Sequence, residues 1–168
     1  MQNKNELFLS VIESHKGILY KIAISYCKEI EDRDDLIQEI IMQLWKSFEK
    51  YDHQYKYSTW IYRIALNVAI SNYRKENHRK TIVNPIDDRI LNYPDTILTT
   101  EKEQNINMLQ QFILELPELD RALMLLYLDE KSHKEIAEII GITETNVATK
   151  IGRIKTLLKQ KYVMIKNQ

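Results

Sequence analysis

A single cysteine, Cys27, stands in a chain of 168 residues, so no internal disulfide can hold the fold. Glycine and proline are nearly as scarce, at three each, which excludes collagen-like and low-complexity organisation and leaves few breaks for long helices. No apolar run approaches the roughly 20 residues needed to span a bilayer. The opening stretch MQNKNELFLSVIESHKG interrupts its apolar residues with Glu6, Ser10 and Glu13, and reads as an amphipathic helix rather than a signal peptide. A cytoplasmic protein without direct membrane insertion is expected. Net charge is also missing: 24 Lys and Arg balance 24 Asp and Glu, which argues against coating nucleic acid unaided. There is no phosphate-cradling glycine loop and no nucleophile elbow. His15, His53, His78 and His133 are scattered, and none joins Cys27 or the acids Asp34, Asp35 and Glu39 at metal-ligand or acid-base spacing. No catalytic residue, metal or cofactor is expected.

What is present is helical. Hydrophobic residues make up 44% and charged residues 29%, a soluble helix-rich composition. Apolar residues recur at helical spacing over Leu7 to Ile30, Asp34 to Phe48, Thr59 to Arg74, Ile106 to Leu116, Asp120 to Leu128, His133 to Ile140 and Thr145 to Tyr162, which predicts seven helices. Between Lys80 and Gln104 the periodicity fails and two of the three prolines appear. The expected architecture is therefore all-α: two small helical domains, 1–79 and 105–168, joined by a flexible linker over 80–104.

The balanced charge is segregated. From Glu29 to Glu39 the acids Glu29, Glu31, Asp32, Asp34, Asp35 and Glu39 face Arg33 alone, whereas Lys56 to Lys80 carries Lys56, Arg63, Arg74, Lys75, Arg79 and Lys80 against Glu76. After Glu144 no acid follows, while Lys150, Arg153, Lys155, Lys159, Lys161 and Lys166 do.

The most specific pattern lies in SHKEIAEIIGITETNVATKIGRIKTLLKQ. Ile136, Ala137 and Ile140 mark a short helix, and Gly141 sits where a helix-turn-helix needs a left-handed residue. Thr143 is placed to cap a second helix, buried along Val147, Ile151, Ile154 and Leu158. Its outward face is Thr145, Asn146, Thr149, Lys150 and Arg153, short polar and basic side chains that suit a major groove. A stand-alone helix-turn-helix regulator would account for this half.

The other half carries two further segments. DRDDLIQEIIMQLWKSF is expected to pack along Ile37, Ile40, Ile41, Leu44 and Phe48, leaving Asp35, Gln38, Glu39, Met42 and Lys46 outward. In KYDHQYKYSTWIYRIALNVAISNYRKENHRK, Ile61, Ile64, Ala65, Val68 and Ala69 or Asn72 are expected inside. Arg63, Asn67 and Arg74 then face out, with Trp60 on the shoulder. Aromatics beside bases suit unstacked DNA, because a ring offsets the stacking an extruded base loses while Arg and Lys hold the backbone. Tyr57 is expected in the core.

In order and spacing the chain resembles the extracytoplasmic-function sigma factors of bacterial RNA polymerase. Leu116, Pro117, Arg121, Leu125, Ser132, Glu135, Ile136, Ala137, Gly141 and Ile142 follow that family's C-terminal "LP…R…L" and "S…EIA…GI" features. Asp34, Asp35, Leu36, Gln38, Glu39, Leu44 and Trp45 follow its "D..DL.QE.F..LW" segment. Tyr57, Thr59, Trp60, Ile61, Tyr62, Arg63, Ile64, Ala65 and Asn67 follow its "F.TW(L/I)YRIA.N" element. The resemblance implies that core RNA polymerase is bound through Asp34, Asp35, Leu36, Gln38, Glu39 and Trp45. It implies that the minus-ten promoter element is melted and read by Tyr55, Trp60, Arg63, Asn67, Arg74 and Lys75, with the loop of about Asp52 to Lys56 capturing a flipped base. The minus-thirty-five element falls to Thr145, Asn146, Thr149, Lys150 and Arg153. An anti-sigma factor is the further partner it implies. Three departures stand out: Tyr57 replaces the usual Phe, Ala148 stands where Lys or Arg is frequent, and Gly152 interrupts the second helix at a cost of about 1 kcal/mol relative to Ala.

Overall fold

A computed structural model describes residues 3–83 and 100–168. Seven α-helices account for most of them: α1 (Lys4–Tyr26), α2 (Ile30–Ser47), α3 (Tyr57–Val83), α4 (Glu101–Leu114), α5 (Glu118–Leu128), α6 (His133–Ile140) and α7 (Glu144–Lys166), with a single 3-10 turn at Phe48–Lys50. The expected helices are all present. Several reach further than periodicity suggested, because capping and first-turn positions are polar and carry no apolar signal. α4 starts at Glu101 on a reciprocal capping box between Thr100 and Glu103, and α3 runs on to Val83. Helix thus enters the 80–104 stretch from both sides, while the remainder of that proposed linker, 84–99, lies outside the described residues.

Each helix is held by a stripe at 3- or 4-residue spacing. α1 buries Phe8, Val11, Leu19, Ile22, Ala23 and Tyr26. α2 buries Leu36, Ile40 and Leu44. This corrects the expected α2 stripe: Ile37 and Ile41 are half-buried at its margin, and Leu36, read as a polymerase contact, is only 2% exposed and belongs to the core. In the C-terminal half Arg121, Ala122, Leu123, Met124 and Leu126 of α5 meet Ile136 and Ile139 of α6 and Val147, Ile151, Ile154 and Leu158 of α7. Full burial of side chains of this size contributes about 1.5–3 kcal/mol each.

α3 is the centre of the molecule. It packs against α1 and α2 on one side and against α5 and α6 on the other. Ile61, Ala65 and Ala69 are buried as expected, but Ile64 and Val68 are only half-buried. Tyr62 and Leu66, which the single-stripe reading left out, are 1% and 2% exposed, and Ile70 continues their line. One apolar core therefore passes through both halves.

Candidate nucleic-acid interface

The helix-turn-helix is set by its turn. Gly141 takes φ 82°, where a side chain is strained, and its N–H donates to the Ala137 carbonyl at 2.8 Å, closing α6. The Ser132 hydroxyl accepts from the Glu135 N–H at 3.1 Å while the Glu135 carboxylate accepts from the Ser132 N–H at 2.9 Å, a capping box that starts the same helix. The Thr143 hydroxyl accepts from the Asn146 N–H at 3.1 Å and so starts α7. With Val147, Ile151, Ile154 and Leu158 buried, α7 turns Thr145, Asn146, Thr149 and Arg153 outward, and Lys150 is half-buried beside them. The Thr149 hydroxyl donates back to the Thr145 carbonyl at 3.0 Å. Beyond the helix's own backbone and the adjoining residues, nothing lies within 4 Å of a Cβ placed on Gly152, which lines a shallow groove with Thr149, Arg153 and Thr156.

At the start of α3 the aromatic residues gather. Tyr51 stacks on Tyr57 with ring centroids 4.5 Å apart, and Trp60 lies 5.3 Å from Tyr51 and 6.0 Å from Phe48. Tyr57 and Trp60 are both half-buried in this cluster. Arg63 is exposed and its guanidinium lies 5.4 Å from the Tyr55 ring, joining two of the expected minus-ten residues. Asn67 and Lys75 are exposed one and three turns further on. Arg74 is exposed too, but its Nε donates to the Glu118 carboxylate of α5 at 2.6 Å.

The residues expected on polymerase divide between two faces of α2. Asp34, Asp35 and Gln38 are exposed and Glu39 is half-buried. Asp35 and Glu39 line a groove between α2 and α3, whose far wall includes Asn67 and Lys75. Gln38 and Trp45 instead line an apolar depression with Phe8, Leu9 and Met42. Leu9 is 65% exposed, Met42 45% and Trp45 38%, a surface with large apolar groups facing solvent. Leu9 on α1 had no place in the expected set, because a single helix pattern does not show which neighbour extends a face.

A second group was not foreseen at all. Arg121, the arginine of the "LP…R…L" feature, is 3% exposed. Its Nη1 donates to the Ser25 carbonyl at 2.8 Å, and its Nη2 to the Leu114 carbonyl at 2.6 Å and the Tyr73 hydroxyl at 3.3 Å. The guanidinium lies 5.1 Å from the Tyr26 ring and 4.8 Å from the Tyr73 ring, while its buried Nε has no partner among the described residues. The Tyr26 hydroxyl donates to the Glu118 carbonyl at 2.6 Å, and burial pushes its acidity far down. On the far side of α5, Asp129 accepts from Lys21 at 2.5 Å and from Tyr62 at 2.6 Å. Lys56, beside the aromatic cluster, is 3.7 Å from Glu135. The signal for this seam was the spacing of Tyr62, Leu66, Ile70 and Tyr73, a second apolar stripe on α3.

Residues 11–79 match the family model described as Sigma-70 region 2, and residues 106–158 match Sigma-70 region 4. Among curated proteins, the chain is 27% identical over 168 residues to the ECF RNA polymerase sigma factor SigW of Bacillus subtilis, with 92% of this chain and 88% of that one covered. It is 27% identical over 154 residues to SigM of the same organism, with 90% and 93% covered. Its fold is that of the sigma factor RpoE, solved with the anti-sigma factor NepR from Bartonella quintana, at a TM-score of 0.69 and 16% identity over 95% of this chain and 96% of that one. It is likewise that of CnrH, solved with the cytosolic domain of CnrY, at 0.68 and 19% over 96% and 90%. Two sigma regions in the family's order, each on the residues whose geometry is described above, place the chain in the extracytoplasmic-function subfamily of bacterial RNA polymerase sigma factors.

Proposed function

We propose that this alternative sigma factor divides its work between its halves: residues 1–79 dock on core RNA polymerase and open the minus-ten element, and residues 105–168 hold the minus-thirty-five element as duplex. What supports the division most is that the exposed Arg63 lies over the Tyr55 ring beside the Tyr51, Tyr57 and Trp60 cluster at the start of α3, whereas the outward residues of α7 from Thr145 to Arg153 include no aromatic ring. Stacking holds a base that has left the helix, and short polar groups read one that has not. Docking uses the apolar surface of Leu9, Met42 and Trp45 for affinity and the acids Asp34, Asp35 and Glu39 for orientation. The protein works in the cytoplasm, catalyses no reaction of its own, and is restrained by an anti-sigma factor, as the sigma factor RpoE of the same fold is held by NepR.

The test uses the whole chain assembled with core polymerase on a promoter carrying a fluorescent base analogue at the minus-ten position. Changing Trp60, Arg63 and Asn67 to Ala abolishes the fluorescence rise of strand opening and leaves duplex binding in place. Retained opening with lost duplex binding would refute the division.

A further inference from the structure

Gly152 interrupts the recognition face without a reason inside the chain. It lies within α7, exposed, and no neighbouring element comes close enough to forbid a side chain there. Nor does the backbone ask for it, since among the described residues Gly141 is the one glycine with a positive φ. Glycine in an exposed helix interior loses more backbone freedom on folding than alanine does, so it weakens α7 with no return in packing.

The return lies on the face turned outward. Around Gly152 the groove is lined by Ala148, Thr149, Thr156 and Leu157, and Leu157 is 43% exposed, so carbon stands on both sides of the glycine. The two hydroxyls beside it have committed their hydrogens: Thr149 donates to the Thr145 carbonyl and Thr156 to the Gly152 carbonyl, each at 3.0 Å. Backbone N–H groups this far into a helix donate to carbonyls four residues back. The donors left among the lining residues are the Arg153 guanidinium beside the glycine and the Gln160 amide two turns on. Arg153 makes no ion pair or hydrogen bond among the described residues.

The major groove displays donors, acceptors and one prominent carbon group, the C5 methyl of thymine. A spot with carbon at its edges, no free hydroxyl hydrogen and no side chain of its own suits that methyl better than a phosphate oxygen, which needs donors. We infer that Gly152 is a specificity-determining position, at which α7 seats a thymine methyl of the minus-thirty-five element while Arg153 takes the adjoining base edge or phosphate. The inference rests on the proposed placement of α7 in that duplex. Without a Cβ at this position the helix approaches the base closely enough for contact, and the contact offsets the helix stability that glycine loses. Alanine would fill the seat with its own methyl.

The experiment uses holoenzyme assembled from core polymerase and the full-length chain. The probe is a short fluorescein-labelled duplex carrying the element that this holoenzyme enriches from a random-sequence pool. Each thymine of the element is replaced in turn by deoxyuridine, which removes the methyl and keeps every hydrogen-bonding group. At one position wild-type affinity falls about fourfold, the worth of one buried methyl. There the Gly152→Ala chain binds the thymine and deoxyuridine duplexes alike, about as weakly as the wild type binds deoxyuridine. Its thermal midpoint by circular dichroism rises, because alanine is the better helix former and meets no neighbouring element. Affinity and stability moving in opposite directions separate a contact with DNA from a structural role.

A lower midpoint for Gly152→Ala would assign the glycine to the fold and overturn the inference. Wild-type binding indifferent to every deoxyuridine replacement would overturn it too. A thymine preference that Gly152→Ala retains, with affinity lost on both duplexes, would put a phosphate at the glycine and likewise exclude the methyl. Arg153→Ala and Gly152→Ala chains that both bind with wild-type affinity would refute the placement of α7 in the duplex itself. An Arg153→Ala loss with no deoxyuridine effect sinks the methyl seat alone and leaves that placement standing.

Discussion

The phenol of Tyr62, in the second turn of α3, donates a 2.6 Å hydrogen bond to the Asp129 carboxylate that caps the end of α5, joining residues 67 apart in sequence. Burial first and then this bond make the phenol far harder to ionise, so it acts only as a donor. Tyr62→Phe keeps the ring in the core and removes the bond. A loss of about 0.5–1.5 kcal/mol is expected in chemical denaturation followed by circular dichroism. No loss would mean that Lys21 alone satisfies Asp129.

The same seam responds to acid. Although burial opposes it, Lys21 and Tyr62 hold Asp129 below the usual carboxylate range, with Lys131 adding to the effect. Glu118 is lowered by Arg74, by its own backbone N–H and by Arg121. Glu135 is lowered by the Ser132 N–H, then by Lys131 and Lys56. Groups whose values are depressed in the packed seam stabilise it above their free values, about 4, and that stabilisation is lost as pH falls through the depressed values. Scattering at constant ionic strength therefore shows a compact chain at pH 7 and an expanded one below about pH 4, before helical content is lost. Helix loss in step with expansion would make the transition ordinary acid unfolding.

On α2, neighbouring residues have opposite fates. Replacing Asp35, Gln38 and Glu39 together by Ala is expected to weaken binding to core polymerase and leave thermal stability within about 0.5 kcal/mol, since all three face solvent or a groove. Leu36→Ala does the reverse, costing about 2–5 kcal/mol of stability from a site 2% exposed. Pull-down and denaturation of both variants decide the matter. Equal loss of binding by the two at equal stability would return Leu36 to the docking surface.

For α7, Arg153→Ala is expected to cost about 1–3 kcal/mol of binding to a cognate minus-thirty-five duplex if the guanidinium reads guanine, and less, equally on all sequences, if it touches phosphate. Thr149→Val is expected to change little, because the hydroxyl it removes already donates to the Thr145 carbonyl. Titration of holoenzyme against the cognate and one shuffled duplex separates the two. A large Thr149→Val effect would show that this hydroxyl turns to the DNA.

The helix-turn-helix was legible in detail because every element of it is local. Gly141, Thr143 and the Val147, Ile151, Ile154 and Leu158 stripe act within one or two turns, where spacing and capping chemistry decide. α2 was legible as a helix but misjudged by one position in its burial, since Leu36 and Ile37 are adjacent and only the packing of α1 and α3 chooses between them. The seam was not legible. Its bonds join Ser25 to Arg121 and Tyr62 to Asp129, and no local pattern pairs residues so far apart. Sequence showed Tyr62 and Leu66 on a helix face, but not that a second half of the chain would cover it.

The central claim is that this chain gives core polymerase a promoter preference. Core enzyme reconstituted with the purified chain, and core enzyme alone, are run on the same library of fragmented genomic DNA from the source organism, and transcript starts are sequenced. The account predicts a small set of starts present only with the chain, sharing one upstream and one downstream element, and lost when Trp60, Arg63 and Asn67 are changed to Ala. Identical start sites with and without the chain would contradict it.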